Sequence, residues 1–427
     1  ADIVNFDEKE YLSRLVDDKL EKYLKVFGAV SVEGPKWCGK TWTSSKFAKS
    51  AVYLDKDEVF EKASLNLDLV LNEEYPELVD EWTKIPKIWD AIRRKCDELN
   101  TTGNYILTCS TELSEKRKKK VFHSGAGRIA KLKMYPMSLY ESKVSTGEAS
   151  LMDMYNGIQK DKNVKVPSLD EIASLIIRGG WPSNLNVERE LANLIPNSYI
   201  DAILDKDIND EKKRDKNKMR MLLRSLARNE SAIVNNQTLL KDIEEYTSDE
   251  SLIESRNTLT DYLDVLTRLY VIENQEAYSE NYRSPKRVGK LPKRHFIDPS
   301  LSCAVLGLNS NKLLDDLNTF GFMFEALVER DLKIYIEYLD GHLYHFRDNV
   351  SGLEVDAILE FKDGEYAAVE IKLGHNKVEE AKNTLLNFEK NMKKKPKFMC
   401  IITANSTYVG KDLETGIYIL PITSLRP

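Results

Sequence analysis

The stretch AVSVEGPKWCGKT, residues 29–41, decides how the first third of the chain is read. A short β run closes on a glycine loop, and helix-compatible sequence follows Thr41. Gly34, Pro35, Lys36, Trp37, Cys38, Gly39, Lys40 and Thr41 match G-x-x-x-x-G-K-[ST] at every fixed position, in the strand–loop–helix context the pattern requires. The glycines let the backbone curl, so that its amides and the helix start form a cradle for anions. Lys40 is expected to reach the β- and γ-phosphates of ATP, and the Thr41 hydroxyl to ligate Mg²⁺. Pro35 has no N–H, so the cradle relies on the later residues of the loop. A glycine turn that matches by chance is the bland alternative, and the flanking strand and helix weigh against it.

Outward from the loop, VYLD (52–55), ELVD (77–80), YILTC (105–109) and IAKLKM (129–134) read as further strands separated by helical stretches. That alternation predicts a largely parallel, three-layer α/β sheet. A metal-dependent phosphate site needs a second carboxylate, and Asp80 with Glu81 supplies a pair at a strand end. Asp80 is expected to hold Mg²⁺ and Glu81 to polarise the attacking water; an exposed acidic turn is the alternative. Ser110, at the end of the next strand, is a candidate polar residue beside the γ-phosphate. Arg128, after the glycines 125 and 127, is a candidate for stabilising transition-state charge, in cis or from a neighbouring subunit, against a solvated arginine among other basic residues.

The whole chain has 427 residues, 42% hydrophobic and 31% charged, with 19 Gly and 13 Pro, which is a globular composition of about three domains. No apolar run approaches the ~18 residues of a membrane span. The acidic, polar start is not that of a signal peptide. Five cysteines without CxxC spacing suggest neither a disulfide framework nor a zinc ribbon, and a cytoplasmic setting is expected. With a net charge of −6, any nucleic-acid contact must come from local basic patches.

After about residue 150 the pattern turns helical. SLDEIASLIIR (168–178) is stopped by Gly179-Gly180-Trp181-Pro182, and helices are expected near 217–228, 237–246 and 256–269. A basic run follows, and these elements together are compatible with a winged helix. Arg283, Lys286, Arg287, Lys290, Lys293 and Arg294 are its candidate phosphate contacts. Asp261 and Asp264 on the third helix oppose such contacts, and a packing role is the alternative.

From about 318 a helix is followed by strands at 342–348, 352–361, 366–373 and 397–405. Asp356 lies on one, and Glu370 and Lys372 on the next, where residues two apart share a face. A hairpin brings the three together. Asp356, Glu370 and the carbonyl of Ile371 are candidate Mg²⁺ ligands, with Lys372 orienting or deprotonating a water. This resembles the D…E-x-K signature of nucleases with a restriction-endonuclease-like fold, in which Glu325 on the preceding helix matches a further acidic residue. Charges alternating on a half-exposed strand are the alternative.

The segments YLSRLVDDKLEKYLKVFGAVSVEGPKWCGKT (11–41), VDEWTKIPKIWDAIRRKCD (79–97), YILTCST (105–111), HSGAGRIAKLKMYPMSLYES (123–142) and RGGWPSN (178–184) resemble bacterial and archaeal AAA-type ATPases that carry a C-terminal DUF4143 domain. The resemblance implies an AAA+ core over 1–150, a helical and winged-helix middle over 151–317, and a restriction-endonuclease-like module over 318–427. The expected partners are ATP with Mg²⁺, then DNA or RNA, and no membrane; a homo-oligomer and a monomer both stay open. Two functions are carried forward: an ATPase with a nuclease-like domain acting on DNA, and a nucleotide-driven switch whose C-terminal domain binds nucleic acid or a protein without cleaving.

Overall fold

Along Ala29–Glu33, side chains alternate between two faces. Val30 and Val32 pack with Leu20, Leu78, Ile106 and Met134, while Ala29 joins Val79, Leu107, Ile88 and Ile92 on the other face. A strand buried on both faces belongs in the middle of a sheet covered by helices. The structure, a computed structural model, describes residues 2–119, 121, 127–246, 256–280 and 291–427. It forms two units, residues 1–136 with 266–271, and residues 137–265 with 272–427.

The first unit holds β1 (Asp2–Ile3), β2 (Ala29–Glu33), β3 (Ser50–Tyr53), β4 (Glu77–Asp80), β5 (Tyr105–Cys109) and β6 (Ile129–Lys133), in the order β1-β3-β4-β5-β2-β6. All neighbours are parallel except β1, which pairs antiparallel with β3. Because β5 enters between β2 and β4, the C-terminal ends of three strands lie side by side. In open α/β sheets that edge is where ligands bind. The Ile88–Leu99 helix buries Ile88, Ile92 and Cys96, four residues apart, against one face.

In the middle stretch, helices Lys216–Arg228, Asn236–Tyr246 and Arg256–Arg268 accompany a small antiparallel sheet, the arrangement of a winged helix; the last turn of the third helix is counted with the first unit. After β7 (Ala149–Ser150) and β8 (Lys162–Asn163), its strands are β9 (Ala232–Ile233), β10 (Ile272–Ala277) and β11 (Lys293–Phe296), with β11 in the centre. The Leu317–Tyr338 helix leads into β12 (His342–Arg347), β13 (Glu354–Glu360), β14 (Tyr366–Lys372), β15 (Phe398–Thr403), β16 (Tyr408–Lys411), β17 (Tyr418–Pro421) and β18 (Leu425–Arg426). β10 also pairs with β12, Glu276 opposite Tyr344, so the middle and C-terminal stretches share one ten-stranded sheet. The RGGWPSN segment is a packing device within this unit. Gly179 has φ 71°, its N-terminal neighbour ends the Leu169–Arg178 helix, and a Cβ there would lie 2.4 Å from Ser300 Oγ. No described helix is long and apolar enough to cross a membrane.

Candidate functional site

The loop after β2 is held from several sides. Gly34 lies against β6's exit, where a Cβ would come within 2.2 Å of the Met134 carbonyl oxygen. Gly39 takes φ 104°, a left-handed backbone that favours glycine, and the Lys40–Ser45 helix starts directly after it. Lys40 is 5% exposed, and its Nζ donates to the Pro35 carbonyl at 2.7 Å, so the side chain curls back over its own loop. Lys36 and Trp37 turn outward as a cation–π pair, and Cys38 is buried beneath.

The carboxylates stand at the neighbouring strand ends. Asp80 Oδ1 accepts from Thr41 Oγ1 at 2.8 Å and from Thr108 Oγ1 at 2.7 Å. Thr41 thus gives its proton to Asp80, which leaves the hydroxyl oxygen's lone pairs available to a cation. Glu81 has a left-handed backbone, φ 57°, whose cost is of order 1 kcal/mol and whose occurrence clusters at functional sites. Its N–H donates to Thr108 Oγ1 at 3.1 Å, and its carboxylate accepts from Ser110 Oγ at 2.6 Å and Ser110 N at 3.4 Å. Ser110 therefore contacts Glu81 and positions it. A buried ammonium, a hydroxyl bonded to a carboxylate and a backbone tight enough to exclude a Cβ fit a Mg²⁺–triphosphate.

Three supports carry no motif. Arg14, buried, donates to the Cys38 carbonyl and to the Tyr135 carbonyl, each at 2.6 Å, and so ties the loop to the exit of β6. Tyr11 donates to Asp17 Oδ1 at 2.7 Å, lies 2.9 Å from Thr43 Oγ1 and meets Trp42 edge-on. Thr108 links Asp80 to Glu81. Only its strand-end position signals it in the sequence.

Arg128 is not brought to this site. Its carbonyl bonds Ala29 N, at the start of β2, while the phosphate loop leaves the end of that strand, ~16 Å away at ~3.3 Å per residue. Its guanidinium pairs with Asp97 at 2.5 Å. Arg128 thus stands at the opposite end of β2 from the loop.

In the second unit, Glu325, Asp356 and Lys372 line a cleft of about 530 Å³, also bounded by Ile371 and Asn376, and Glu370 is buried next to Asp356. β13 and β14 pair with Ala357 opposite Val369, which sets Asp356 beside Glu370. Each carboxylate then caps the other strand: Glu370 Oε1 accepts from Asp356 N at 3.0 Å, and Asp356 Oδ2 from Ile371 N at 2.8 Å. Lys372 Nζ stays 3.9 Å from Glu370 and 3.7 Å from Glu380. Burial pushes the carboxyls up, Glu325 and Asp356 to about 7 and Glu370 well above the ordinary range.

A divalent ion does not fit this cluster as it stands. Among the described residues no group of three or more His, Cys, Asp or Glu is placed to hold a metal. Glu325 is engaged by Lys293, whose Nζ lies 2.8 Å from Glu325 Oε1 and from Glu329 Oε1. This corrects the expectation that Lys293 meets phosphates: it is buried and faces carboxylates. Arg294 donates to Asn236 Oδ1 at 2.9 Å. Arg283, Lys286, Arg287 and Lys290 lie outside the described residues. On the third helix, Asp261 accepts from both Arg214 and Lys212 and is an internal ion-pair partner.

A strand–loop–helix with lysine, threonine and paired carboxylates at the edge of a parallel sheet defines a P-loop nucleotide domain. Residues 26–143 match the family described as AAA domain, residues 320–425 match the domain of unknown function DUF4143, and residues 169–312 match the domain of unknown function DUF8612. The chain thus carries an AAA-type domain at its N-terminal side and a DUF4143 domain at its C-terminal side. Among solved structures it is similar to the Walker-type ATPase PABY2304 of Pyrococcus abyssi, at 13% identity, over 71% of this chain and 96% of that one, with a TM-score of 0.43. No curated protein matches this sequence.

Proposed function

We propose that the chain is a Mg²⁺-dependent ATP hydrolase. The supporting observation is the contact between Thr41 and Asp80 at 2.8 Å, with Glu81 directly beyond it. Residues 34–41 bind the phosphates, Lys40 balances their charge, and Thr41 with Asp80 holds the metal. When bound, Mg²⁺ neutralises charge on the phosphate oxygens. Glu81 orients the attacking water and draws on its proton, and Ser110 fixes the carboxylate that does so. Lys40→Ala should weaken MgATP binding at least tenfold by titration calorimetry, since it removes the charge that meets the phosphates. Unchanged affinity would sink this assignment of the loop.

For the C-terminal domain, the Lys293 contacts favour the second of the two functions, a nucleotide-driven switch that binds nucleic acid or a protein partner without cleaving it. Asp356 and Glu370 each accept from a backbone N–H of the facing strand, and Glu325 accepts from the Lys293 ammonium. Incubation of the whole chain with Mg²⁺ or Mn²⁺, ATP, and single- and double-stranded DNA and RNA should leave the nucleic acid intact. Cleavage that is lost in Asp356→Asn would reverse this reading.

A further inference from the structure

Carboxylates gathered inside a protein need a positive charge, or they stay protonated. In nuclease-like sites that charge is a divalent ion. Here Glu325 and Glu329 come from successive turns of the Leu317–Tyr338 helix, and Asp356 and Glu370 from paired strands. A positive charge in hydrogen-bond contact with two of them is covalently attached. Lys293 opens β11, is 6% exposed, and directs its ammonium to three oxygens: Glu325 Oε1 at 2.8 Å, Glu329 Oε1 at 2.8 Å and the Asp356 carbonyl at 2.9 Å. An ammonium has three protons, and all three are used. His295, two residues on and on the same strand face, stands 2.9 Å from Glu329 Oε2 and 2.8 Å from Gln275 Oε1. Gln275 in turn donates to the Tyr344 and Asp356 carbonyls, so β11 is fastened to β12 and β13 through side chains.

We propose that Lys293 is the resident counter-ion of this cluster and takes the place of a divalent metal. It rests on the non-cleaving reading above. A compact ammonium on a long stem suits the role, because it meets oxygens as a point charge. Its attachment also differs from a metal's in consequence. A metal ion is exchanged with solvent, whereas this cation comes from the winged-helix strand, so the winged helix and the carboxylate cleft are held together by the charge that the cleft requires. The wild-type cluster accordingly takes no hard divalent cation. Removing the ammonium exposes Glu325, Asp356 and Glu370 to one, since oxygen ligands of this kind suit Mg²⁺ and Mn²⁺.

The test is a Mn²⁺ titration of the nucleotide-free whole chain, followed by electron paramagnetic resonance of free Mn²⁺, with melting temperatures measured in Mn²⁺ and in EDTA. Wild type and Lys293→Arg should show no Mn²⁺ binding that Asp356→Asn removes. Lys293→Met should melt lower in EDTA, gain one Mn²⁺ per chain and recover several degrees when Mn²⁺ is added, and Asp356→Asn in that background should abolish the gain. Lys293→Met with Glu329→Gln removes one charge of each sign and serves if the single variant does not fold. Wild-type Mn²⁺ binding that depends on Asp356 would overturn both this inference and the non-cleaving reading. A Lys293→Met chain, or its charge-paired form, that gains no Mn²⁺ would overturn the counter-ion role alone.

Discussion

Arg14 supports the nucleotide loop without touching any expected ligand. It spends two donors on the Cys38 and Tyr135 carbonyls, 24 and 121 residues away in sequence. Charged hydrogen bonds of this kind contribute about 1.5–3 kcal/mol each, and their loss leaves buried carbonyls without partners. Arg14→Ala should therefore lower unfolding stability by about 3 kcal/mol and weaken MgATP binding, as followed by urea unfolding with and without nucleotide. Arg14→Lys cannot span both carbonyls, and should fall between. An Arg14→Ala chain as stable as wild type would show that the brace is idle. The loop itself is legible in the sequence because its glycines, lysine and threonine act within eight consecutive positions. Arg14 is illegible for the converse reason: its partners are backbone atoms, which leave no residue-type signature. Ser110 could be read as a polar strand end, but its partner, Glu81, follows only from β5 lying beside β4.

At the scale of elements, β4 carries a cost at its first residue. Glu77 is fully buried, accepts from Glu73 N at 3.2 Å through Oε2, and its Oε1 has no hydrogen-bond partner among the described residues. Burial pushes its carboxyl from 4.5 up to about 7. The folded chain thus holds this proton more tightly than the unfolded chain does. Its stabilising contribution is complete below about pH 4.5 and is lost as pH rises through about 7, a loss on the order of 3 kcal/mol. Glu77→Gln should melt higher than wild type at pH 8 and similarly at pH 4.5. Equal melting at pH 8 would show that the buried carboxylate costs nothing. The turn after the Leu169–Arg178 helix makes an opposite demand. Gly179 has φ 71° and Ser300 Oγ stands where a Cβ would go, so Gly179→Ala should cost roughly 2 kcal/mol or more in chemical unfolding. Helices such as Leu169–Arg178 were expected from periodicity, which is local. β16 and β17 were not among the expected strands.

For the whole molecule, the sequence suggests a boundary near residue 318, yet one sheet runs across it. β10 pairs with both β11 and β12, and Lys293 crosses to the C-terminal helix and strands. If a protease site is inserted at Gly307 and cut, the two pieces should stay together on gel filtration. Pieces that separate without denaturant would contradict a shared sheet. Lys293 also shows where reading from sequence fails. Six basic residues among two prolines and a glycine look like a solvated wing, and only the fold reveals that the strand's first lysine turns inward to carboxylates 32 and 36 residues later. The D…E-x-K spacing was legible because a hairpin is local; the cation that answers it comes from another element. ATP hydrolysis at the site of the first unit is decided by a single-turnover comparison of wild type with Glu81→Gln in MgATP. Both proteins should bind MgATP with similar affinity, and phosphate release should fall ~100-fold or more in the variant, since only the water-orienting carboxylate is lost. Phosphate release by Glu81→Gln at the wild-type rate, or none by wild type itself, would contradict the account.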